Sequence, residues 1–174
     1  SLAIDGLVLV GGAVSNSDTA LLAEHFVSQG VRTAVVGVPA SIDGDLLGSR
    51  LEASLGFDTA CRVYASIVGN LAADAASARK YWYFVRIMGR SPSHITLQVA
   101  NLTNPNLALM GEEIETRRMS LAAIVSAIAD GVEGRAKEGK HYGVVLIPEG
   151  LVEYIPEMNA LLREIAAVQR AAHG

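Results

Sequence analysis

The sequence predicts an α/β protein, a three-layer α/β/α sandwich built on a mostly parallel sheet. Three observations carry this. Short apolar runs alternate with longer stretches whose apolar residues recur every three or four positions, giving a β-α order repeated five times. The apolar runs Ala34 to Val38 and Gly143 to Ile147 contain no charge, the pattern of parallel strands covered on both faces. Glycines and charged residues gather after the strands, in Gly11-Gly12, Ser41-Ile42-Asp43-Gly44-Asp45, Met88-Gly89-Arg90, Gly111-Glu112-Glu113 and Pro148-Glu149-Gly150. That is the carboxyl edge, where open α/β sheets place their ligands.

Taken in order, strands are expected at 6–10, 33–38, 81–88, 107–110 and 143–147. Pro39 cannot donate to a ladder and ends the second. Ser15 to Asp18 supply N-cap residues for the first helix, with Leu21, Leu22 and Phe26 as its apolar stripe up to Gly30. The second helix starts at Gly56. Phe57, Cys61, Tyr64, Val68, Leu71 and Ala75 lie on one face of it, so Cys61 reads as a buried, inert thiol. Ser91-Pro92 places an N-cap before a proline at the first helical position. Glu112 and Glu113 form a helix-start pair suited to the helix dipole. Leu121, Ile124, Val125, Ile128 and Val132 carry the next helix towards Gly139, with Arg135, Lys137 and Lys140 as its solvated end. Pro156 opens the last, with Met158, Leu161, Leu162, Ile165 and Val168 facing inward. The pattern changes at Leu46 to Ala53, which divides the chain into residues 1–46 and 47–174.

The chain has 174 residues, 51% of them hydrophobic and 18% charged, with a net charge of −4. An acidic balance argues against a nucleic-acid surface. One cysteine excludes an internal disulfide framework and suits a reducing compartment, hence a cytoplasmic location. No apolar run reaches the roughly 18 residues of a membrane span, and no signal sequence is expected. The chain begins at Ser1 and runs almost at once into a strand, as expected for a piece of something longer. So apolar a chain, cut at domain edges, should leave surface for self-association or a partner. His25, His94, His141 and His173 have no metal-ligand spacing.

Phosphoryl transfer depends on positioning and on neutralised charge. It takes a carboxylate for the proton of the attacking hydroxyl, carboxylates for magnesium, arginine for phosphate and glycine where backbone meets phosphate. Asp43 fits the base and Asp45 the magnesium ligand, or both belong to a solvated turn. Arg90 fits a bidentate phosphate contact, or a surface ion pair. Glu149 suits sugar hydroxyls, or is an exposed strand-end carboxylate. Lys80, beside Tyr81 at a strand start, can reach into a cleft.

Gly37-Val38-Pro39-Ala40-Ser41-Ile42-Asp43-Gly44-Asp45, followed by Gly56-Phe57-Asp58-Thr59-Ala60-Cys61, resembles the phosphofructokinases. The likeness is to their pyrophosphate-dependent branch, and residues 81–90, Ser93 to Leu97 and Gly143 to Gly150 extend it. The resemblance implies a phosphofructokinase-like fold. Residues 1–46 would be the end of a phosphoryl-donor domain and 47–174 most of a sugar-phosphate domain. It implies Mg2+ and transfer from pyrophosphate, with ATP as the second choice of donor, to the 1-hydroxyl of fructose 6-phosphate. Association would be homo- or hetero-oligomeric, with phosphofructokinase-like subunits or modules. By the same resemblance Asp43 deprotonates the hydroxyl, Ser41 contacts the transferred phosphoryl group and Asp45 lies near magnesium. Met88, Gly89 and Arg90 contact the sugar phosphate, and Glu149 holds its hydroxyls. Gly11, Gly12, Lys80 and Tyr81 belong to the donor side.

Two departures stand out. The family's pyrophosphate enzymes read Gly-Gly-Asp-Asp at the first strand end, where this chain has Gly11-Gly12-Ala13-Val14. They read Pro-Lys-Thr-Ile-Asp-Gly-Asp at the second, where Ala40 replaces the lysine and Ser41 the threonine. A metal carboxylate and a cation are therefore missing. The alternative is a catalytically degenerate regulatory module that binds sugar phosphate without turnover. On either reading the piece alone is expected to be inactive. A dinucleotide-binding domain is disfavoured, since Gly11-Gly12-Ala13-Val14-Ser15-Asn16 lacks the third glycine.

Overall fold

The computed structural model describes residues 4–49, 51–90 and 92–173. It is α/β with parallel strands throughout the named sheets. The elements are β1 (Gly6–Gly11), α1 (Ala13–Ser28), β2 (Ala34–Pro39), α2 (Phe57–Ala78), β3 (Tyr81–Ile87), α3 (His94–Thr103), β4 (Leu107–Ala108), α4 (Gly111–Arg117), α5 (Leu121–Lys137), β5 (Tyr142–Pro148), α6 (Leu151–Tyr154) and α7 (Pro156–His173). The strands form two sheets, β1-β2 and β3-β5-β4. The chain divides into compact units of residues 1–59 and 60–174.

In residues 1–59, β1 and β2 pair in parallel from Gly6↔Ala34 to Gly11↔Pro39. Pro39 is thus the last paired residue, and Ala40 N–H makes the next bond, to Gly11 O at 2.8 Å. α1 packs on one face, where Thr19 is buried and a side chain at Gly37 would meet Asn16 and Thr19. The expected stripe is corrected here. Leu22 and Phe26 are half-buried, but Leu21 is exposed, and Thr19 sits three residues before Leu22 on the inward face. The N-cap is Gly12, so Ser15 to Asp18 lie inside the helix. β2 is not a strand covered on both faces either. Val8, Val10, Val36 and Val38 are 61, 63, 52 and 38% exposed, because α1 covers the opposite alternation.

In residues 60–174, β5 is central and dry. Val144, Val145 and Leu146 are at most 1% exposed. It pairs with β3 from Tyr81↔Tyr142 to Ile87↔Pro148, and with β4 at Leu107↔Val145 and Ala108↔Leu146. Successive side chains point to opposite faces. The Tyr83 hydroxyl bonds Asp74 of α2, whereas Phe84 faces Val125, Ile128 and Val132 of α5. Helices therefore lie on both faces of this sheet, with Phe84 left 55% exposed on the α5 side. α2 buries Cys61, Val68 and Ala75 as its spacing predicts. β4 is only two residues long, since Met110 already caps α4. Ser91 lies outside the described residues. α3 begins at His94, so Pro92 precedes the helix instead of opening it. Arg135 is no solvated helix end: it lies over the Trp82 and Tyr142 rings, and its Nε–H donates to Tyr142 O at 3.3 Å. A side chain at Gly143 would fall 2.5 Å from the Trp82 ring, so glycine makes room for the indole.

A smaller core joins Ile114, Ile124, Leu151 and Ile155, with Met158 packed against it. That core takes only the first turn of α7. Leu161, Leu162, Ile165 and Val168, expected to face inward, are exposed. Among the described residues no helix is long and apolar enough to cross a membrane.

Candidate active site

Parallel pairing brings the ends of β1 and β2 to one edge. The side chain of Asn16 closes the glycine turn there, its Nδ2–H donating to Gly11 O at 2.7 Å and Gly12 O at 2.8 Å. α1 comes so close that a Cβ on Gly11 would lie 2.6 Å from Ser15 Cβ. Ala13 and Val14 form the exposed first turn, where free backbone N–H groups favour an anion even without a side-chain ligand. Past Pro39, the loop is built around Ser41 and Gly44. Ser41 Oγ accepts from Asp43 N–H at 3.1 Å, and Ser54 Oγ–H donates to Ser41 O at 2.6 Å. Gly44 is buried with φ +69, and a Cβ on it would meet the Phe57 ring at 2.9 Å. The ring and the backbone angle both exclude larger residues. Asp43 is thereby half-buried and Asp45 exposed, on either side of a fixed glycine.

The edge formed by β3, β5 and β4 is tied across strands. Glu149 N–H donates to Ile87 O at 2.8 Å, and Gly150 N–H to Gly89 O at 3.0 Å. A Cβ on Gly150 would lie 2.1 Å from Arg90 O, so the two loops cross backbone on backbone. Gly89, buried with φ +136, makes the bend. Met88 N–H donates to the Tyr64 hydroxyl at 3.2 Å. Met88, Gly89, Arg90 and Glu149 are therefore brought to one edge. Lys80 and Tyr81 are not. They stand at the amino end of β3, six residues before its last, or about 20 Å away at 3.3 Å per residue. Lys80 Nζ lies 5.0 Å from the Tyr81 ring centroid.

Beyond Arg90, Ser93 is buried. Its N–H donates to Glu112 Oε1 at 2.7 Å and its Oγ accepts from Gly111 N–H at 2.9 Å. Partial burial pushes the Glu112 carboxyl up. Hydrogen bonds from Ser93 N–H, its own N–H and the Ser93 hydroxyl, with His94 nearby, outweigh this and hold it below the ordinary value. Glu113 instead pairs with Arg117 across one exposed turn. Beside this bridge lies a groove of about 370 Å³ lined by Ser93, His94, Leu97, Met110, Glu112 and Glu113. A larger one, about 780 Å³, runs along Glu115, Arg118, Tyr154, Asn159 and Arg163 and includes no strand-end residue named above.

Asn16, Ser54, Tyr64 and Ser93 support these loops without having been singled out for it. An Asn four residues after a glycine turn was the one local signal. The others bridge residues too distant in sequence to be paired by inspection. Among the described residues no three His, Cys, Asp or Glu converge as a metal cluster. Magnesium is commonly held by one or two carboxylates together with substrate phosphates, and the exposed Asp45 could supply one of them.

A parallel α/β scaffold that gathers glycine turns and an arginine at its strand ends has the layout on which open α/β sheets bind ligands. The phosphofructokinase family model matches residues 1–172, and the chain belongs to that family. It is 53% identical over 167 residues to a pyrophosphate–fructose 6-phosphate 1-phosphotransferase of Treponema pallidum, covering 96% of this chain and 29% of that protein. It is 49% identical over 164 residues to the beta subunit of the enzyme of that name in Solanum tuberosum, covering 94% and 29%. The chain thus spans under a third of the length of these relatives. The crystal structure of a pyrophosphate-dependent phosphofructokinase from Nitrosospira multiformis shares the fold, with a TM-score of 0.69 at 19% identity, covering 85% of this chain and 37% of that one.

Proposed function

We propose that the protein containing this chain transfers a phosphoryl group from pyrophosphate to the 1-hydroxyl of fructose 6-phosphate, giving fructose 1,6-bisphosphate. The observation that carries this reading is the loop 41–45, where Ser41, Ser54, Gly44 and Phe57 hold Asp43 in a fixed turn. A solvated turn needs no such support. Asp43 would accept the hydroxyl proton and Ser41 would bind the transferred group. Arg90, with Met88 and Gly89, would bind the sugar phosphate through charge-assisted bonds, and Glu149 would accept from sugar hydroxyls. Gly11 and Gly12 would let the donor approach backbone. Mg2+, held by Asp45 and the donor phosphates, would neutralise developing charge. The names of the relatives support pyrophosphate over ATP. The bare valine face of β1-β2 and the exposed stripe of α7 support association with like subunits, and the lone buried Cys61 supports a cytoplasmic enzyme.

A second reading, a regulatory module binding sugar phosphate without turnover, is favoured by Ala13, Val14 and Ala40, which place no carboxylate or cation at the donor turns. Assays on the full-length protein separate the two. The first reading expects pyrophosphate-dependent turnover, little with ATP, and a loss of about a thousand-fold in kcat for Asp43→Asn. Binding of fructose 6-phosphate with no turnover would establish the second. Failure to bind the sugar phosphate would overturn both.

A further inference from the structure

We propose that Glu112 and Ser93 are positioning residues for Arg90, and so set the affinity of the sugar-phosphate half-site; this rests on the reading that Arg90 binds that phosphate. The Arg90 backbone lies between two ties. Before it, Gly89 O accepts from Gly150 N–H, and after it Ser93 N–H donates to Glu112 Oε1. The second tie is reciprocal, since Ser93 Oγ accepts from Gly111 N–H. The bridge thus joins the loop leaving β3 to the start of α4. A helix-dipole role alone would treat Glu112 and Glu113 alike, yet only Glu112 turns to the β3 exit, while Glu113 pairs with Arg117. The Arg90 side chain is exposed, and the planar fork of a long exposed arginine meets two phosphate oxygens well only if its root is fixed. The carboxylate makes the bridge a charge-assisted bond, about twice as strong as a neutral one.

The test is titration calorimetry of fructose 6-phosphate on the full-length protein, with thermal melting as the folding check. Glu112→Ala and Ser93→Ala should each weaken binding roughly ten-fold, the scale of one hydrogen bond to a charged group. Glu112→Gln still accepts from Ser93 N–H and should restore most of the affinity. On an Arg90→Ala background, Glu112→Ala should cause no further loss, because it acts through Arg90. Two results would overturn the proposal with the phosphate reading intact: Glu112→Ala within two-fold of the parent while Arg90→Ala weakens binding strongly, or additive losses in the double variant. If Arg90→Ala itself leaves binding unchanged, the reading beneath the proposal falls with it. Should the alanine variants not fold, Glu112→Gln against Glu112→Asp decides, since the shorter acid should lose the tie and bind more weakly.

Discussion

In residues 60–174 the turn after β3 is bonded to the loops after β5 and β4, over a sheet whose central strand, β5, is dry. In residues 1–59 the turn after β2 leans on Ser54, which bonds Ser41, and on Phe57, which packs against Gly44, each thirteen residues on from its partner, on a sheet with one bare valine face. The first arrangement is tertiary. Its loops hold only while the whole sheet is formed. The second is local, and survives with little more than a strand, a turn and the start of α2. Sites on rigid, cross-tied elements are the more exact, so the edge carrying Arg90 and Glu149 should be the less forgiving of change.

Backbone crossings break this contrast most sharply. Gly150→Ala puts a methyl 2.1 Å from Arg90 O, an atom that cannot swing aside. We expect about 3 kcal/mol of lost stability, the upper range for overpacking, and loss of sugar-phosphate binding. Gly12→Ala at the other edge finds Ala40 O at 4.0 Å and should be nearly neutral. Chemical denaturation of both variants checks the pair. Equal effects would show that the two edges are equally tight.

Within residues 1–59, Gly44 and Gly30 separate packing from backbone conformation. Their φ values are close, +69 and +67, but only Gly44 faces a neighbour, the Phe57 ring, while a Cβ at Gly30 meets nothing within 4 Å. Gly30→Ala should cost about 1 kcal/mol, the left-handed backbone term alone. Gly44→Ala should cost about 1 kcal/mol more, and it alone should impair turnover, through Asp43. Matching melting shifts for the two would mean that Phe57 yields freely.

Much of this was legible in the sequence, and the exceptions share a cause. α2 was plain because its stripe turns Cys61, Val68 and Ala75 into the core, and β5 because an uncharged run of Val, Leu and Ile has few alternatives. α1 misled because its inward face opens on Thr19, whose fit depends on Gly37 in a strand eighteen positions on. α7 has a genuine apolar stripe, yet the core beneath it ends at Met158. Periodicity reports that a face is apolar, not that something covers it. The strand-end turns carrying Asp43, Arg90 and Glu149 could be read one by one, since glycine after an apolar run has few other uses. What holds them could not, because Ser93 and Glu112 meet only through the folded sheet. Lys80 and Tyr81, placed on the donor side by resemblance, stand at the amino end of β3, away from the turn that follows it.

The smallest expected effect concerns charge at the bridge behind Arg90. The folded carboxyl of Glu112 lies below its ordinary value of 4.5. Its ionised form is therefore favoured by folding. The stabilisation is complete above the unfolded value and fades as pH falls through the folded one. Glu112→Gln removes the charge and keeps the acceptor, so the parent should melt slightly higher at pH 7. The gap should close as pH drops below 4. Glu112 is largely exposed, and solvent screens it. A difference of about 1 °C is the expected scale. The turn after β1 is held instead by the Asn16 amide, so Asn16→Asp should not reproduce this pH profile. Paired melting curves from pH 3 to 7 decide it: a gap between parent and Glu112→Gln that is constant with pH would show that the carboxylate gives Ser93 no more than a neutral acceptor would.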